Sequence, residues 1–187
     1  MADVSVVNNT ASIRQATYEF ISTFAVPSVP PQNIIWGNQN NLALPETEDY
    51  ILFSPTYNVR HGTGVEDWSR SKDGVVELYE QVEMAMQVDC YANGANGGDG
   101  YTAMLRAQAL ETVGRSSVGC KFFADRGFGL LFCEDARNST GVGDSDSYEP
   151  RWTVTLHLSF KSRVQVSQEF FENAVVGIHN VDVRFKP

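Results

Sequence analysis

The sequence predicts an α+β fold: a mainly antiparallel twisted sheet of five to six strands with two amphipathic helices on one face. Apolar and polar residues alternate over 150–160 and again over 82–90, which is typical of strands with one buried face. Two further stretches, 10–25 and 100–114, carry apolar residues at helical spacing. No regular alternation of strands and helices connects these elements, so an antiparallel sheet is favoured over a parallel one.

The composition of the chain narrows the class of protein. Its 187 residues, 42% of them hydrophobic, can bury one substantial core, and we expect a single domain over 1–187. A net charge of −9 disfavours a nucleic-acid-binding protein, because affinity for nucleic acid comes mainly from Lys and Arg side chains. No signal-peptide pattern is present, and no apolar run approaches the ~20 residues of a membrane helix. We therefore expect a cytosolic protein with no membrane partner.

The N-terminal part of the chain predicts a helix and a short strand. The apolar stripe of the helix over 10–25 consists of Ile13, Ala16, Thr17, Phe20, Ile21 and Phe24. Prolines from Pro27 onward end this helix. A strand over 34–36 follows, and a polar, asparagine-rich loop over 37–41 comes after it.

The middle of the chain predicts two strands with a turn between them. The strand over 50–53 is followed by Pro55, which lacks an amide hydrogen and therefore predicts an edge or a bulge. The alternation ends at 60–64, a stretch that we expect to form an exposed loop. An Asp73-Gly74 dipeptide predicts a tight turn ahead of the strand over 82–90.

The second helix has signals at both of its ends. A flexible glycine-rich loop over 93–100 precedes it, with Asp99 as its N-cap, and Gly114 is placed as its C-cap. Beyond this helix, apolar runs predict a short strand over 119–123 and a buried strand over 128–133, with a turn between them.

An acidic loop over 134–149 leads into the strand with the clearest alternation. The even positions of this strand are the predicted core: Trp152, Val154, Leu156, Leu158 and Phe160. The odd positions are predicted to face water or a partner: Arg151, Thr153, Thr155, His157 and Ser159. A last alternating run over 181–185 predicts a C-terminal strand.

Motifs of known chemistry are absent from the sequence. The loop over 93–100 matches no nucleotide-binding pattern, and Asp99 would repel a phosphate there. The acids over 144–149 lack the spacing of a calcium loop. Neither the three histidines nor the three cysteines have the spacing of a metal site, and Cys90 and Cys133 are expected to be buried thiols. We therefore expect no catalytic, cofactor or metal site.

Three stretches of the chain form a pattern when they are taken together. They are Arg60-His61-Gly62-Thr63 with Trp68 shortly after it, 87–91 ahead of the glycine-rich loop, and 148–152 at the entry to a strand. With the order of helices and strands around them, they resemble the tail terminator and neck terminator proteins of tailed bacteriophages. The resemblance covers most of the chain.

The resemblance implies a non-enzymatic virion structural protein without a cofactor. Such a protein forms a homo-oligomeric ring, usually sixfold, at the head–tail junction, where it caps the tail tube. Its partners would be the tail tube protein and a head-completion or connector protein. Genomic DNA would pass through the lumen without specific binding. The protein would be made in the cytoplasm of a bacterial host and reside in the tail or neck of the virion.

Functional residues would then be those at subunit contacts. The residues expected at the interface are Arg60, His61, Thr63, Trp68, Arg151, Thr153, Thr155 and His157. A second interpretation of Trp68 is that it packs on its own sheet, since tryptophan is common in interfaces and in cores.

Two alternative functions stay open at the level of the sequence. One is another phage tail or baseplate adaptor of similar fold. The other is a cytosolic α+β enzyme whose site combines dispersed polar residues such as His61, Asp89 and His157. The distances between these three side chains distinguish the enzyme from the structural protein.

Overall fold

The α+β class is confirmed by the structure. The computed structural model describes residues 4–7, 10–39, 44–45, 49–69, 74–92, 101–142 and 148–167. Within these residues there are three α-helices, a main sheet of seven strands and a separate two-stranded sheet. The elements in chain order are β1 (Val4–Val7), α1 (Thr10–Phe24), β2 (Ile34–Trp36), β3 (Tyr50–Asp67), β4 (Val75–Tyr91), α2 (Tyr101–Gly114), α3 (Ser117–Ala124), β5 (Gly129–Cys133), β6 (Arg137–Asn138), β7 (Gly141–Val142), β8 (Tyr148–Glu149) and β9 (Arg151–Ser167).

Two long antiparallel pairings organise the main sheet. Strand β4 lies at its centre and pairs along its whole length with β9, and along nearly all of it with β3 on the other side. Strand β2 pairs in parallel with the start of β3. The outer edge of β9 carries β6, β5 and β1 in succession. These pairings place residues that are distant in sequence side by side, as with Ala85 and His157.

The helices cover one face of this sheet. Helix α1 buries Ile13, Ala16, Thr17, Phe20 and Ile21, which follow the spacing of one helical stripe. The even positions of β9 belong to the same core, with Val154, Leu156 and Leu158 at most 1% exposed. Trp152 and Phe160 are half-buried at its margin. The predicted core face of this strand is therefore confirmed.

One end of the sheet extends beyond the helices. It consists of residues 57–67 of β3, 75–81 of β4 and 161–167 of β9, which together are called the arm. In β3 every residue from 56 to 66 is exposed, and no arm residue belongs to the main core cluster. At ~3.3 Å per residue the arm reaches roughly 20 Å from the helix-covered body.

One predicted strand is a helix. Residues 119–123 lie in α3, whose N-cap is Ser116, and the hydroxyl of Ser116 accepts a hydrogen bond from the amide of Gly119. Phe123 is fully buried, and its ring lies 5.0 Å from that of Phe20, centroid to centroid. The prediction was wrong because a short apolar run is typical of a buried strand and of a buried helix alike.

Two predicted loops contain strands. Residues 60–64 belong to β3, and the break in alternation is a bulge in which Gly62 takes a φ of +87°. The expected exposed loop is therefore an exposed strand. The bulge predicted behind Pro55 is confirmed, since the pairing register shifts between Pro55 and Tyr57. The acidic stretch over 134–149 holds three short strands, β6, β7 and β8.

Both predicted helices are confirmed, and Gly114 ends α2 as expected. Its small size has a second use, because a Cβ atom there would lie 3.1 Å from the Cβ atom of Cys133. Several predictions fall outside the described residues: the loop over 93–100 with its N-cap Asp99, the turn residue Asp73, and the strand over 181–185.

Candidate functional site

The sheet face opposite the helices is polar, and it is called the polar face. Strand β9 contributes its odd positions to this face, and β4 contributes the residues that pair with them. Side chains from β3 and from the segment after β5 complete it. The predicted interface residues on this face are His61, Arg151, Thr153, Thr155 and His157.

His157 is the centre of a first polar cluster. Its side chain is 3% exposed, its Nδ1 lies 2.6 Å from Oε1 of Glu83, and its Nε2 lies 3.2 Å from Oε1 of Glu134. The imidazole also stacks on the ring of Phe132, with centroids 3.8 Å apart. Both ring nitrogens of His157 therefore lie within hydrogen-bonding distance of a carboxylate oxygen, one from β4 and one from the segment after β5.

Glu83 joins this cluster to the arm. Its second oxygen, Oε2, lies 2.7 Å from Nε2 of His61 on β3. The hydrogen bonds with His157 and then with His61 hold the pKa of Glu83 below its usual value. One carboxylate of β4 therefore links this strand to both of its neighbours, β3 and β9.

A second cluster surrounds Asp89, which is 3% exposed. Arg151 contacts both of its oxygens, with Nε 3.1 Å from Oδ1 and Nη2 2.9 Å from Oδ2. Thr153 donates its hydroxyl to Oδ1 at 2.5 Å, and Gln87 donates from Nε2 to Oδ2 at 2.8 Å. The guanidinium of Arg151 lies 5.5 Å from the ring centre of Tyr91. A buried carboxylate with this many donors is satisfied and joins β4 to β9.

The alternation predicts that the odd positions of β9 from Arg151 to Ser159 face water or a partner, but four of these five residues are buried within their own chain. The buried members, between 2% and 8% exposed, are Thr153, Thr155, His157 and Ser159. Strand β9 lies between β4 and the short strands of its outer edge, so large neighbours such as Glu83 and Phe132 cover its small polar side chains. Alternation therefore predicts the direction of a side chain but not its exposure. Contact of these residues with a neighbouring subunit stays a prediction.

The arm and the residue directly after its first strand hold the remaining predicted interface residues. Arg60 lies on the helix-side face of the sheet, with Nε 3.3 Å from Oε2 of Glu80. Thr63 is exposed within the bulge. Trp68 directly follows β3, is 47% exposed, and donates its indole N–H to Oε2 of Glu66 at 3.3 Å. The indole of Trp68 is therefore largely accessible and not packed into the core.

The structure does not bring His61, Asp89 and His157, the residues of the enzyme alternative, into one site. His61 and His157 share Glu83, whereas Asp89 belongs to a separate cluster. Along β4, positions 83 and 89 are roughly 20 Å apart at ~3.3 Å per residue. The enzyme site that would combine His61, Asp89 and His157 is therefore not formed by these three side chains.

The two cysteines expected to be buried are buried. Burial raises the pKa of the Cys90 thiol and of the Cys133 thiol to about 12, so both remain protonated near neutral pH. Within the described ranges, no group of three His, Cys, Asp or Glu side chains is arranged to hold a metal ion.

Sequence reasoning missed the partners of His157. Glu83 stands on the polar side of an alternating strand, but it is 74 positions away from His157, and no local pattern shows that the two strands pair in this register. The sequence places Glu134 in the acidic loop and Phe132 in a mostly buried strand. That strand, β5, is instead largely exposed, because Leu131 and Phe132 are each 50% exposed. Strong alternation in both long strands is the signal that could have suggested their pairing.

Comparison with known protein families adds to this geometry. A family model described as phage neck terminator protein matches residues 11–182. The chain belongs to this family. No match is found among curated proteins.

Membership in the neck terminator family confirms the resemblance noted in the sequence. The three stretches that carried it lie in β3, in β4 and at the junction of β8 with β9. As a phage neck terminator, the protein has a structural role in the neck of the virion. None of the helices in the described part of the chain is long and apolar enough to cross a membrane.

Proposed function

We propose that this neck terminator is a non-enzymatic protein that forms a homo-oligomeric ring, with sixfold symmetry expected, at the head–tail junction. Each subunit consists of one domain over 1–187. The ring caps the tail tube, contacts the tail tube protein on one side and a head-completion or connector protein on the other, and lets DNA pass without specific binding. Synthesis takes place in the cytoplasm of the bacterial host, and assembly into the virion follows.

The arm is the observation that carries this proposal. Exposed strands with unpaired edges tend to pair or pack with other chains unless something covers them. Beyond its short pairing with β2, the outer edge of β3 has no partner strand among the described residues, and this open edge runs through the whole arm. A neighbouring subunit that covers the arm at each step around an axis gives a closed assembly.

The predicted interface residues divide into two groups under this proposal. The exposed members are Arg60 and Thr63 on the arm and Trp68 directly after it, and they contact the neighbour directly. The others, apart from the partly exposed Arg151 and the exposed His61, are buried in their own chain and hold the strands of the polar face together. The second group supports the interface through the shape of the sheet.

Replacement of Trp68 with alanine tests the proposal. The indole is largely exposed, so its loss should change the free energy of unfolding little, while removing an aromatic contact from the interface. We expect the concentration for half-assembly, measured by analytical ultracentrifugation, to rise about tenfold or more. Tyr101→Ala is the matched control, because Tyr101 is also an exposed aromatic residue but lies on α2, away from the arm.

Three results would count against the proposal. Equal losses of stability and assembly in Trp68→Ala would show that the indole supports folding. A wild-type protein that stays monomeric at every concentration and is missing from purified particles would exclude the ring. A label on the protein that appears away from the head-proximal end of the tail in imaged particles would assign it to an adaptor instead.

A further inference from the structure

A groove of about 510 Å³ opens at the outer edge of β9. The pairing of β5 with β9 ends at Ser159, and the pairing of β1 begins at Arg163, so none of the described strands pairs with 160–162 on this edge. The turn after α3 and the first turn of α1 form the other wall, through Arg126 and Ser12. This volume is within the range of pockets that hold a ligand or several side chains of a partner.

The groove carries positive charge on a chain whose net charge is −9. Its lining includes Arg126, Lys161 and Arg163 and no carboxylate, and it is called the basic groove. Arg126 is held in place by Glu19, with Nε 2.9 Å and Nη2 2.8 Å from Oε2. Arg163 makes no hydrogen bond or ion pair with the described residues, and its charge is therefore available to a partner. Carboxylates are the groups that guanidinium and ammonium side chains bind best in proteins.

The opposite edge of the sheet carries the complementary charge. Glu66 and Asp67 end β3 and are followed by the exposed Trp68; these three residues are called the arm tip. The backbone amide and then the hydroxyl of Ser69 hydrogen-bond Asp67 and hold its pKa below the usual value, so it is ionised at neutral pH. The arm tip therefore presents two carboxylates beside a large apolar ring.

The arm tip of a subunit does not reach the basic groove of the same subunit. Strand β4 lies between β3 and β9, so two strand spacings, or about 10 Å, separate the backbones of the two features. A contact between them must join two copies head to tail. Such contacts repeat from copy to copy and close into a ring when the rotation permits.

We propose that the arm tip of one subunit docks in the basic groove of the next. The carboxylates of Glu66 and Asp67 face Lys161 and Arg163, and the indole of Trp68 packs against the apolar wall that includes Phe128. This inference rests on the ring proposed above and names the two surfaces that would form its contact.

Exchange of the charges tests the contact. The groove variant Lys161→Glu/Arg163→Glu and the tip variant Glu66→Lys/Asp67→Lys each place like charges opposite one another, and like charges repel across an interface. We expect each variant alone to need at least about a tenfold higher concentration for half-assembly in analytical ultracentrifugation. The control Arg14→Glu/Lys121→Glu makes the same change in net charge at two exposed residues outside the groove and should assemble like the wild type.

Restoration of assembly identifies the two surfaces as partners. The chain that carries all four substitutions, and an equimolar mixture of the groove and tip variants, both present exchanged but complementary charges and should assemble again. Far-ultraviolet circular dichroism and urea unfolding check that each variant is folded. The neutral variant Lys161→Gln/Arg163→Gln provides the same test with a milder change. We expect its assembly to be weakened less than that of the charge-reversed groove variant.

The outcomes separate this inference from the proposal on which it rests. If the wild type forms a ring and the groove and tip variants assemble as well as it does, the docking is wrong and the ring stands. The docking would also be overturned if the groove and tip variants assemble poorly and neither the chain with all four substitutions nor the mixture of the two variants restores assembly. The groove would then bind something other than the arm tip. A wild type that never assembles would refute the ring itself.

Discussion

Glu83 connects three strands of the polar face through a single carboxylate. Its two oxygens accept hydrogen bonds from the buried His157 on β9 and from the half-exposed His61 on β3. Solvent screens the second hydrogen bond, so the first contributes more to stability. None of the three helices in the described residues packs on the polar face, so they give it none of the apolar packing that holds the other face. Charged hydrogen bonds across the strands take over part of that function here.

The pH dependence of stability should reveal the contribution of the Glu83 carboxylate. The folded-state pKa of Glu83 lies below its usual value, so its contribution is present above the unfolded-state pKa, about 4.3, and is lost as the pH falls through the folded-state value. Glu83→Gln lacks the contribution at every pH. We therefore expect the difference in free energy of unfolding between the wild type and the variant, measured with urea, to shrink between about pH 6 and about pH 3.

Glu80→Gln is the matched control for this measurement. Glu80 also lies on β4 and pairs with the exposed Arg60, but it has no contact with either histidine of the cluster. Its variant should follow the wild-type pH curve closely. A constant difference between wild type and Glu83→Gln across the acid range would contradict the link between Glu83 and the imidazoles.

The limits of sequence reasoning are clear at His157. Alternation placed it correctly on the face opposite Leu156 and Leu158, because neighbouring residues in a strand point to opposite sides. Its burial comes from Glu83, Glu134 and Phe132, which reach it through strand pairings and a segment far along the chain. Register between distant strands is a property of the assembled sheet, and local patterns do not contain it.

At the scale of elements, short apolar runs and breaks in alternation were the difficult cases. The sequence predicts a strand where helix α3 lies. Gly119 suits the close junction of α3 with the preceding helix α2, because a Cβ atom at position 119 would lie 2.4 Å from the carbonyl oxygen of Val113. The long alternating strands β4 and β9 were predicted, but each is longer than its pattern suggested. Their extra length forms the arm, where Val76 is buried but no residue joins the main core cluster that would impose a strict alternation.

The bulge in β3 should be sensitive to the residue at position 62. Gly62 has a φ of +87°, and a Cβ atom there would meet nothing within 4 Å, so the cost of Gly62→Ala is conformational, about 1–2 kcal/mol. We expect faster amide hydrogen exchange in 57–67 and 75–81, with no change in the part of β4 beneath the helices. Gly141→Ala is the control, because the space around it is also open but its φ is not in the left-handed region. Equal effects of the two substitutions would contradict a strained bulge.

At the scale of the whole molecule, the distribution of charge is uneven. The net charge of −9 suits a lumen that DNA crosses without binding, as proposed for the ring. The basic groove at one sheet edge and the acidic arm tip at the other depart from this average. The groove was not visible in the sequence, because Arg126 follows α3 whereas Lys161 and Arg163 lie on β9, and the three meet only where β5 and β1 leave a gap along β9.

Assembly of the ring should therefore weaken as the salt concentration rises. The docked charges lie near the surface, and the screening length falls from about 10 Å at 0.1 M salt to about 3 Å at 1 M. In analytical ultracentrifugation we expect a larger fraction of free wild-type subunits at the higher salt. Lys161→Gln/Arg163→Gln should assemble less well than the wild type at low salt, and its assembly should depend less on the salt concentration. Trp68→Ala should assemble less well at both salt concentrations but show the same salt dependence as the wild type, because salt does not screen apolar burial. An unchanged salt dependence in the groove variant would contradict the charge contact.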